Sequence, residues 1–316
     1  MQNPKFIILF LALAAAFCGC VEHDVSMVEF TLDVKASPET KGYVTGTTLV
    51  DDNGDQRFLY LSAWMRGSNG RQDNYFTNEP FFDDQDKWRH DPPIYVPFAS
   101  SFDILGYCSS VAIPATDVQW GFPNNAERMR ISFDAGHLQD DILYGAAYGN
   151  MSTAGGPVTM TMYHAQAWID VYLHRKAGAT GSPVTVTGVT LERLFTGCEV
   201  TVDANGGEPL AYCRTRRFVG GDFVMADPSG IYSQPLTEQG GTLKILVPEQ
   251  DQTTLRIDYA VSDAHLSSTI ELPHTHWVMG VHYRYEIEFD PLDEVFFLAT
   301  YAVMPWTVGT NYTENI

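Results

Sequence analysis

Along most of the chain apolar and polar residues alternate with a period of two, and beyond the first twenty residues no long 3.6-residue amphipathic pattern occurs. The alternation is clearest in Val28-Glu29-Phe30-Thr31-Leu32-Asp33-Val34-Lys35, which predicts a half-buried strand with Val28, Phe30, Leu32 and Val34 on one face. Residues 47–50 and 57–64 flank Asp52-Asn53-Gly54-Asp55, and Asn-Gly accepts the positive φ angles of a type I′ turn, so a hairpin is expected there. Further strands are expected at 157–164, 168–173, 184–191, 243–247, 255–261, 284–289 and 294–303. Many short strands separated by Gly, Pro and Asn turns predict an all-β fold of β-sandwich type. Residues 69–93 are polar and aromatic with few strand signals and read as a long surface loop. The small, flexible run Ala177-Gly178-Ala179-Thr180-Gly181-Ser182-Pro183 is the best break. It divides the chain into two sandwiches in tandem, 21–180 and 181–316. The border lies between 178 and 205, because the strand at 184–191 has the option of pairing with the first sheet.

The opening twenty residues depart from this pattern. Lys5 supplies a short positive segment, residues 6–17 form an apolar run, and Gly19 places a small residue before Cys20. The run is shorter than the roughly 20 apolar residues of a membrane-spanning helix. It resembles a bacterial lipoprotein signal over residues 1–20, with Cys20 as the lipid acceptor because bulky Phe17 precedes Cys18. Ordinary secretory cleavage nearby is the alternative, and either route exports the mature chain.

Charge narrows the partners. The 19 Lys plus Arg against 39 Asp plus Glu give −20, and losing Lys5 with the signal takes −20 to −20 − 1 = −21. A surface this acidic repels phosphates, so no nucleic acid partner is expected. Dense acidic spots occur only at DDNGD and DDQD, and solubility outside the cell accounts for them. With Cys20 lipidated, Cys108, Cys198 and Cys213 remain, an odd number that does not suggest a disulfide framework. Cys198 and Cys213 bracket a segment with an Asn-Gly-Gly turn that folds into a hairpin and brings the sulfurs together, so a bridge and two free thiols both stay open. Cys108, in an apolar stretch, reads as a buried thiol.

Chemical motifs are sparse. There is no phosphate-binding Gly-rich loop, Gly-x-Ser-x-Gly elbow, His-Glu-x-x-His pair or Cys-x-x-Cys, which leaves only chemistries without fixed spacing, such as a glycosidase carboxylate pair. His274 and His276 share a strand face, yet Pro273 and Gly280 mark a surface hairpin and no third ligand stands nearby. Asp51, Asn53 and Asp55 begin like a calcium loop, but Gln56 and Ser62 occupy its glycine and glutamate positions. His164, between apolar neighbours, reads as structural. No metal, no cofactor and no enzymatic activity are expected.

One ordered set of residues carries a resemblance. Asp141-Ile142-Leu143-Tyr144, then Val158-Thr159-Met160-Thr161-Met162-Tyr163-His164-Ala165 leading into Trp168-Ile169-Asp170-Val171, resembles the fimbrillin family of Bacteroidales pilus proteins. Tyr283-Arg284-Tyr285-Glu286-Ile287-Glu288-Phe289 and the later Ala302-Val303-Met304-Pro305-Trp306 are similar to that family's closing strands and terminal Pro-Trp segment. Weaker matches lie at residues 102–107 and 246–250.

The resemblance implies two transthyretin-like β-sandwich domains, a lipid anchor in the outer membrane, and assembly with other fimbrial subunits into a surface fimbria. It also implies a maturation protease that removes the first strand, here residues 28–35, opening a groove for another subunit's terminal strand. Lys41 stands where many members carry arginine, and Arg57 is the next basic residue, so both are cleavage candidates. The donor candidates are Val295, Phe297, Ala299, Tyr301 and Val303, which an ordinary core strand explains as well. A second expectation is a non-polymerising surface lipoprotein of the same fold that binds glycans or host ligands through Tyr75, Phe76, Phe81, Phe82, Trp88 and Tyr95.

Overall fold

The computed structural model describes residues 27–29, 32–36, 58–66, 72–84, 87–97, 100–109, 113, 117–121, 126–134, 141–150, 158–204, 209–227, 229–251, 254–273 and 276–306. Cys20, Phe30, Lys41, the 51–55 hairpin, Arg57 and His274 lie outside the described residues. In chain order the strands are β1 (Met27–Glu29), β2 (Leu32–Ala36), β3 (Phe58–Arg66), β4 (Gln72–Asp84), β5 (Lys87–Arg89), β6 (Tyr95–Pro97) and β7 (Ser101–Ser109). They continue with β8 (Val118–Trp120), β9 (Arg128–Asp134), β10 (Leu143–Asn150), β11 (Val158–His164), β12 (Ala167–Arg175), β13 (Val184–Asp203) and β14 (Leu210–Val224). The last are β15 (Gly241–Val247), β16 (Gln250–Asp251), β17 (Thr254–Val261), β18 (Ala264–Glu271), β19 (His276–Trp277), β20 (Val281–Asp290) and β21 (Val295–Pro305). Among the described residues there is no α-helix, and the all-β expectation is borne out.

The strands build three apolar layers. A closed barrel runs β10-β11-β2-β5-β4-β3-β7. Its strand β7 is buried from Phe102 to Ser109 because both faces are covered: Phe102, Ile104 and Cys108 fill the barrel, while Leu105 and Tyr107 pack outward against Met129, Ile131 and Val200. The barrel interior is tight where β10 passes β11. A Cβ added at Gly145 would fall 2.5 Å from Met162 Sδ and 2.6 Å from the Thr161 carbonyl, so only glycine lets these strands approach.

A second sheet runs β18-β17-β13-β9-β8, and a third runs β15-β12-β20-β21. In β17 buried Leu255, Ile257, Tyr259 and Val261 alternate with half-buried residues, as a strand with one covered face requires. These pack on Ile169, Val171, Leu173, Tyr285, Ile287 and Phe289 of the third sheet. Each such fully buried side chain contributes about 1.5–3 kcal/mol of transfer free energy.

The 20-residue β13 belongs to both halves. Residues Val184 to Leu191 pair with β17, residues Gly197 to Asp203 pair with β9, and β14 runs along the opposite edge. The strand expected at 184–191 is therefore the first part of a longer one. Val184, Val186, Val189 and Leu191 enter one core, and Cys198, Val200 and Val202 another. The strands on either side of the Gly-rich segment at 177–183, β12 and the start of β13, contribute to the same core.

One expectation is corrected. Residues 69–93, read as a long surface loop, contain β4 and β5 of the barrel. Two register shifts against β3, with Asn78 at φ 55° and its N–H donated to Ser62 Oγ at 2.9 Å, break the period-two pattern that would have signalled β4.

Candidate functional site

Among the described residues the last strand, β21, has one ladder partner, β20, and on its other edge the Phe296 N–H donates to Ser268 Oγ of β18. Its eleven residues, VFFLATYAVMP, carry no charge, so none of the charged side chains that usually blunt an exposed edge is present. Residues opposite one another in an antiparallel ladder share a face. Phe296 opposes buried Phe289 and Leu298 opposes buried Ile287, which places both on the core side. Val295 and Phe297 oppose Asp290 and Glu288 and point outward.

A bulge then changes the faces. The register shift at Glu286/Ile287 leaves Ala299 without an opposite residue, so Tyr301 falls opposite Tyr285 and Val303 opposite Tyr283. Both partners are buried core residues, yet Tyr301 is 46% and Val303 44% exposed. The core side of β21 is thus open past the bulge. The five alternating donor candidates do not form one row: Val295 and Phe297 lie on one face, Tyr301 and Val303 on the other, with Ala299 at the crossover.

Hydrogen-bonded groups pack behind this strand. Tyr285 accepts a hydrogen bond from Trp277 Nε1 at 2.9 Å, and Tyr283 accepts one from the Val278 N–H at 3.0 Å. Burial pushes the Tyr285 phenol up to about 12, against the lowering effect of the Trp277 bond. At the other end Tyr259 Oη donates to the Glu294 carbonyl at 2.8 Å and the Phe296 N–H donates to Ser268 Oγ at 3.2 Å.

The strand ends in a buried clasp. Trp306 is fully buried and stacks on the His164 ring at 3.6 Å with a 3° interplanar angle. Its other neighbour is Trp168 at 5.6 Å, which stacks in turn on His282 at 4.2 Å. His164 is fixed by Asp141 at 2.7 Å and His282 by Asp170 at 2.9 Å. The Trp306 N–H donates to the Gly280 carbonyl, and the Gly280 N–H to that of Gln166. The end of β21 is therefore held where β11, β12 and the start of β20 converge. His164 is buried between Asp141 and the Trp306 indole.

The first strands lie along two different neighbours. Val28 lies on β1, which pairs with β6, whereas Leu32 and Val34 lie on β2. Strand β2 pairs in parallel with β11 over Leu32–Ala36 and, among the described residues, meets β5 at Leu32 and Trp88.

The remaining candidates separate. Phe76, Phe81 and Trp88 are buried in the barrel and Tyr75 packs against them, which leaves Phe82 and Tyr95 exposed. Cys198 and Cys213 meet, with sulfurs 2.8 Å apart. His276 lies 3.4 Å from Glu249 and 3.2 Å from Asp251; burial lowers its pKa but the two carboxylates outweigh it and hold the imidazole above its ordinary value.

The family model described as fimbrillin-like matches residues 47–306, most of the chain. The chain belongs to the fimbrillin-like family. The expected resemblance is borne out, and this fimbrillin is accordingly a fimbrial subunit of the cell surface. A search of curated protein sequences finds no match. Among solved structures, a candidate cell adhesion protein from Bacteroides ovatus is similar at 16% identity and a TM-score of 0.53, over 90% of this chain and 99% of that one. One from Bacteroides uniformis is similar at 12% identity and a TM-score of 0.54, over 88% and 98%. The tip fimbrial protein Mfa3 from Porphyromonas gingivalis, with a C-terminal truncation, is similar at 9% identity and a TM-score of 0.43, over 89% and 100%.

Proposed function

We propose that this fimbrillin is exported as a lipoprotein acylated on Cys20, anchored in outer-membrane lipid, and assembled with other subunits by protease-triggered strand exchange. The observation that carries the reading is β21: an uncharged strand that, among the described residues, has no ladder partner on its second edge, with Tyr301 and Val303 exposed on its core-facing side. Unpaired backbone groups beside exposed apolar side chains are what strand addition satisfies. The place of β2 supports the other half of the exchange, since this strand lies along β11 over Leu32–Ala36 and, among the described residues, meets β5 at Leu32 and Trp88. Removing it would leave the β11 edge unpaired beside the apolar barrel interior.

In this reading the fimbrillin is two tandem transthyretin-like domains with their border within 178–205. The first is built around the barrel and the second around β15, β17, β20 and β21, with β12, from before the border, and β13, which crosses it, packing into the second core. Cleavage after Lys41 or Arg57 would release β1 and β2 together. The exposed-aromatic surface that motivated a glycan-binding lipoprotein is reduced to Phe82 and Tyr95, and no observation favours that second reading.

The test is a pair of purified chains beginning at Gly42 and at Phe58. Each is mixed with a peptide of residues 294–316 and run unheated on a gel. Ladders from the chain alone, capped by excess peptide, support strand exchange. Chains that stay monomeric and bind no peptide overturn it.

A further inference from the structure

Two cysteines from separate strands meet inside the second sheet. The register sets Val200 opposite Cys213 and Cys198 opposite Thr215, so Cys198 and Cys213 are diagonal neighbours across the β13/β14 ladder. Their sulfurs lie 2.8 Å apart. That is closer than the roughly 3.5–4.0 Å at which nonbonded heavy atoms of carbon size rest, and short of the about 2.05 Å of a sulfur–sulfur bond. Cys198 is buried and Cys213 is half-buried, while Cys108 lies in the barrel core away from both.

The ladder shows what a bond here would fasten. Between Phe195 and Gly197 the pairing breaks: two steps along β13, from Phe195 to Gly197, correspond to four along β14, from Gly220 to Arg216. Beyond the break, β13 is flanked by β9 on one side and β14 on the other, and among the described residues β14 pairs with β13 alone. Among those residues the ladder to β13 is what ties the 210–216 backbone to the sheet, beside the contact of Cys213 Sγ with the Glu249 carbonyl. The cysteine pair sits within this stretch, one to three residues past the break.

We propose that Cys198 and Cys213 are joined by a disulfide in the exported protein, and that the bond ties the outer strand β14 to β13 beyond the break in their ladder. The proposal is independent of strand exchange and needs only an oxidising compartment. The oxidant is a disulfide-bearing partner, protein or small molecule. The more accessible Cys213 attacks as thiolate one sulfur of that disulfide, forming a mixed disulfide and releasing the first thiolate. The Cys198 sulfur then displaces the second, its proton passing to the departing group. Two S–H bonds are lost and one S–S bond forms; the two electrons and two protons reduce the donor to a dithiol. The sulfur contact with Cys213 and burial both hold the Cys198 thiol well above its ordinary value, which makes it the resolving group and not the attacking one.

No Lys or Arg lies between Leu194 and Cys213, so trypsin leaves both cysteines on the single peptide 194–214. The full chain is treated with glutathione disulfide or with dithiothreitol, alkylated in denaturant, digested and weighed. The expected result is a 194–214 peptide lighter by two hydrogens and unlabelled in the oxidised sample, but doubly labelled in the reduced one, with Cys108 labelled in both. Reduction should also speed hydrogen exchange several-fold in 210–216 while leaving β17 and β20 unchanged. Cys213→Ser and Cys198→Ser should each abolish the mass loss, and either variant suffices if the other fails to fold. Double labelling of the peptide after oxidation, or a bond from either residue to Cys108 or to a second chain, overturns the proposal.

Discussion

Replacing Trp306 with alanine should free the end of β21 without unfolding the fimbrillin. Past the bulge, residues Ala299 to Val303 are exposed, and the ladder with β20 and the buried indole of Trp306 tie them down. Truncating a buried tryptophan costs about 3–5 kcal/mol, to which loss of the stack on His164 adds about 0.5–1.5 kcal/mol. A strand end can escape most of that cost by fraying, which limits the loss of global stability to a smaller figure. Local protection has no such escape. If about 3 kcal/mol of clasp energy is lost, amide exchange across 299–305 should accelerate roughly a hundredfold, each 1.4 kcal/mol being tenfold. Hydrogen-exchange mass spectrometry on Trp306→Ala measures this, with β17 as internal reference. Trp306→Phe, which keeps a stacked ring, should fall between. Exchange in 299–305 within about threefold of the parent would refute the clasp. If β21 is the donated strand, the alanine variant should also assemble faster.

Gly145→Ala should overpack the barrel against Met162 and the Thr161 carbonyl, costing about 1–3 kcal/mol and lowering Tm by a few degrees in a thermal melt. His276 should titrate by NMR above the roughly 6.5 of a free imidazole. Because its folded pKa is raised, its ion pairing with Asp251 and Glu249 is fully present below about 6.5 and is lost as pH rises through the folded value. Asp251→Asn should move that midpoint down; an unchanged midpoint would contradict the geometry. Tyr301→Lys, on the open core-facing side, should weaken binding of the 294–316 peptide to the truncated chain far more than Thr300→Lys on the outward face, read as a ratio of Kd values. Equal losses would count against a face-specific fit.

Much of the strand pattern was legible because a strand with one covered face writes its burial as alternation. Residues 157–164, 255–261, 284–289 and 294–303 emerge as β11, β17, β20 and β21 with only shifted ends. Strands buried on both faces escaped. β7 reads as a continuous apolar run around Gly106, and β10 contains Gly145 and Gly149, residues that in isolation mark turns. β4 escaped because its bulges shift the phase of the alternation. At the candidate site, alternation alone put Val295, Phe297, Tyr301 and Val303 on one face. The bulge at Ala299, which depends on pairing with β20, is what divides them.

By itself the sequence determined the all-β class, the fimbrillin resemblance and the uncharged terminal strand, because composition, periodicity and motif order are local properties of the chain. Tertiary structure decided which edges stay open. Whether β21 gains a ladder partner on its second side, and how β2 sits between β11 and β5, depend on where strands distant in sequence run. Trp306 gains its role only because His164, Trp168 and Gly280, far apart in the chain, converge on it. Long-range packing has no signature in the spacing of residues along one strand.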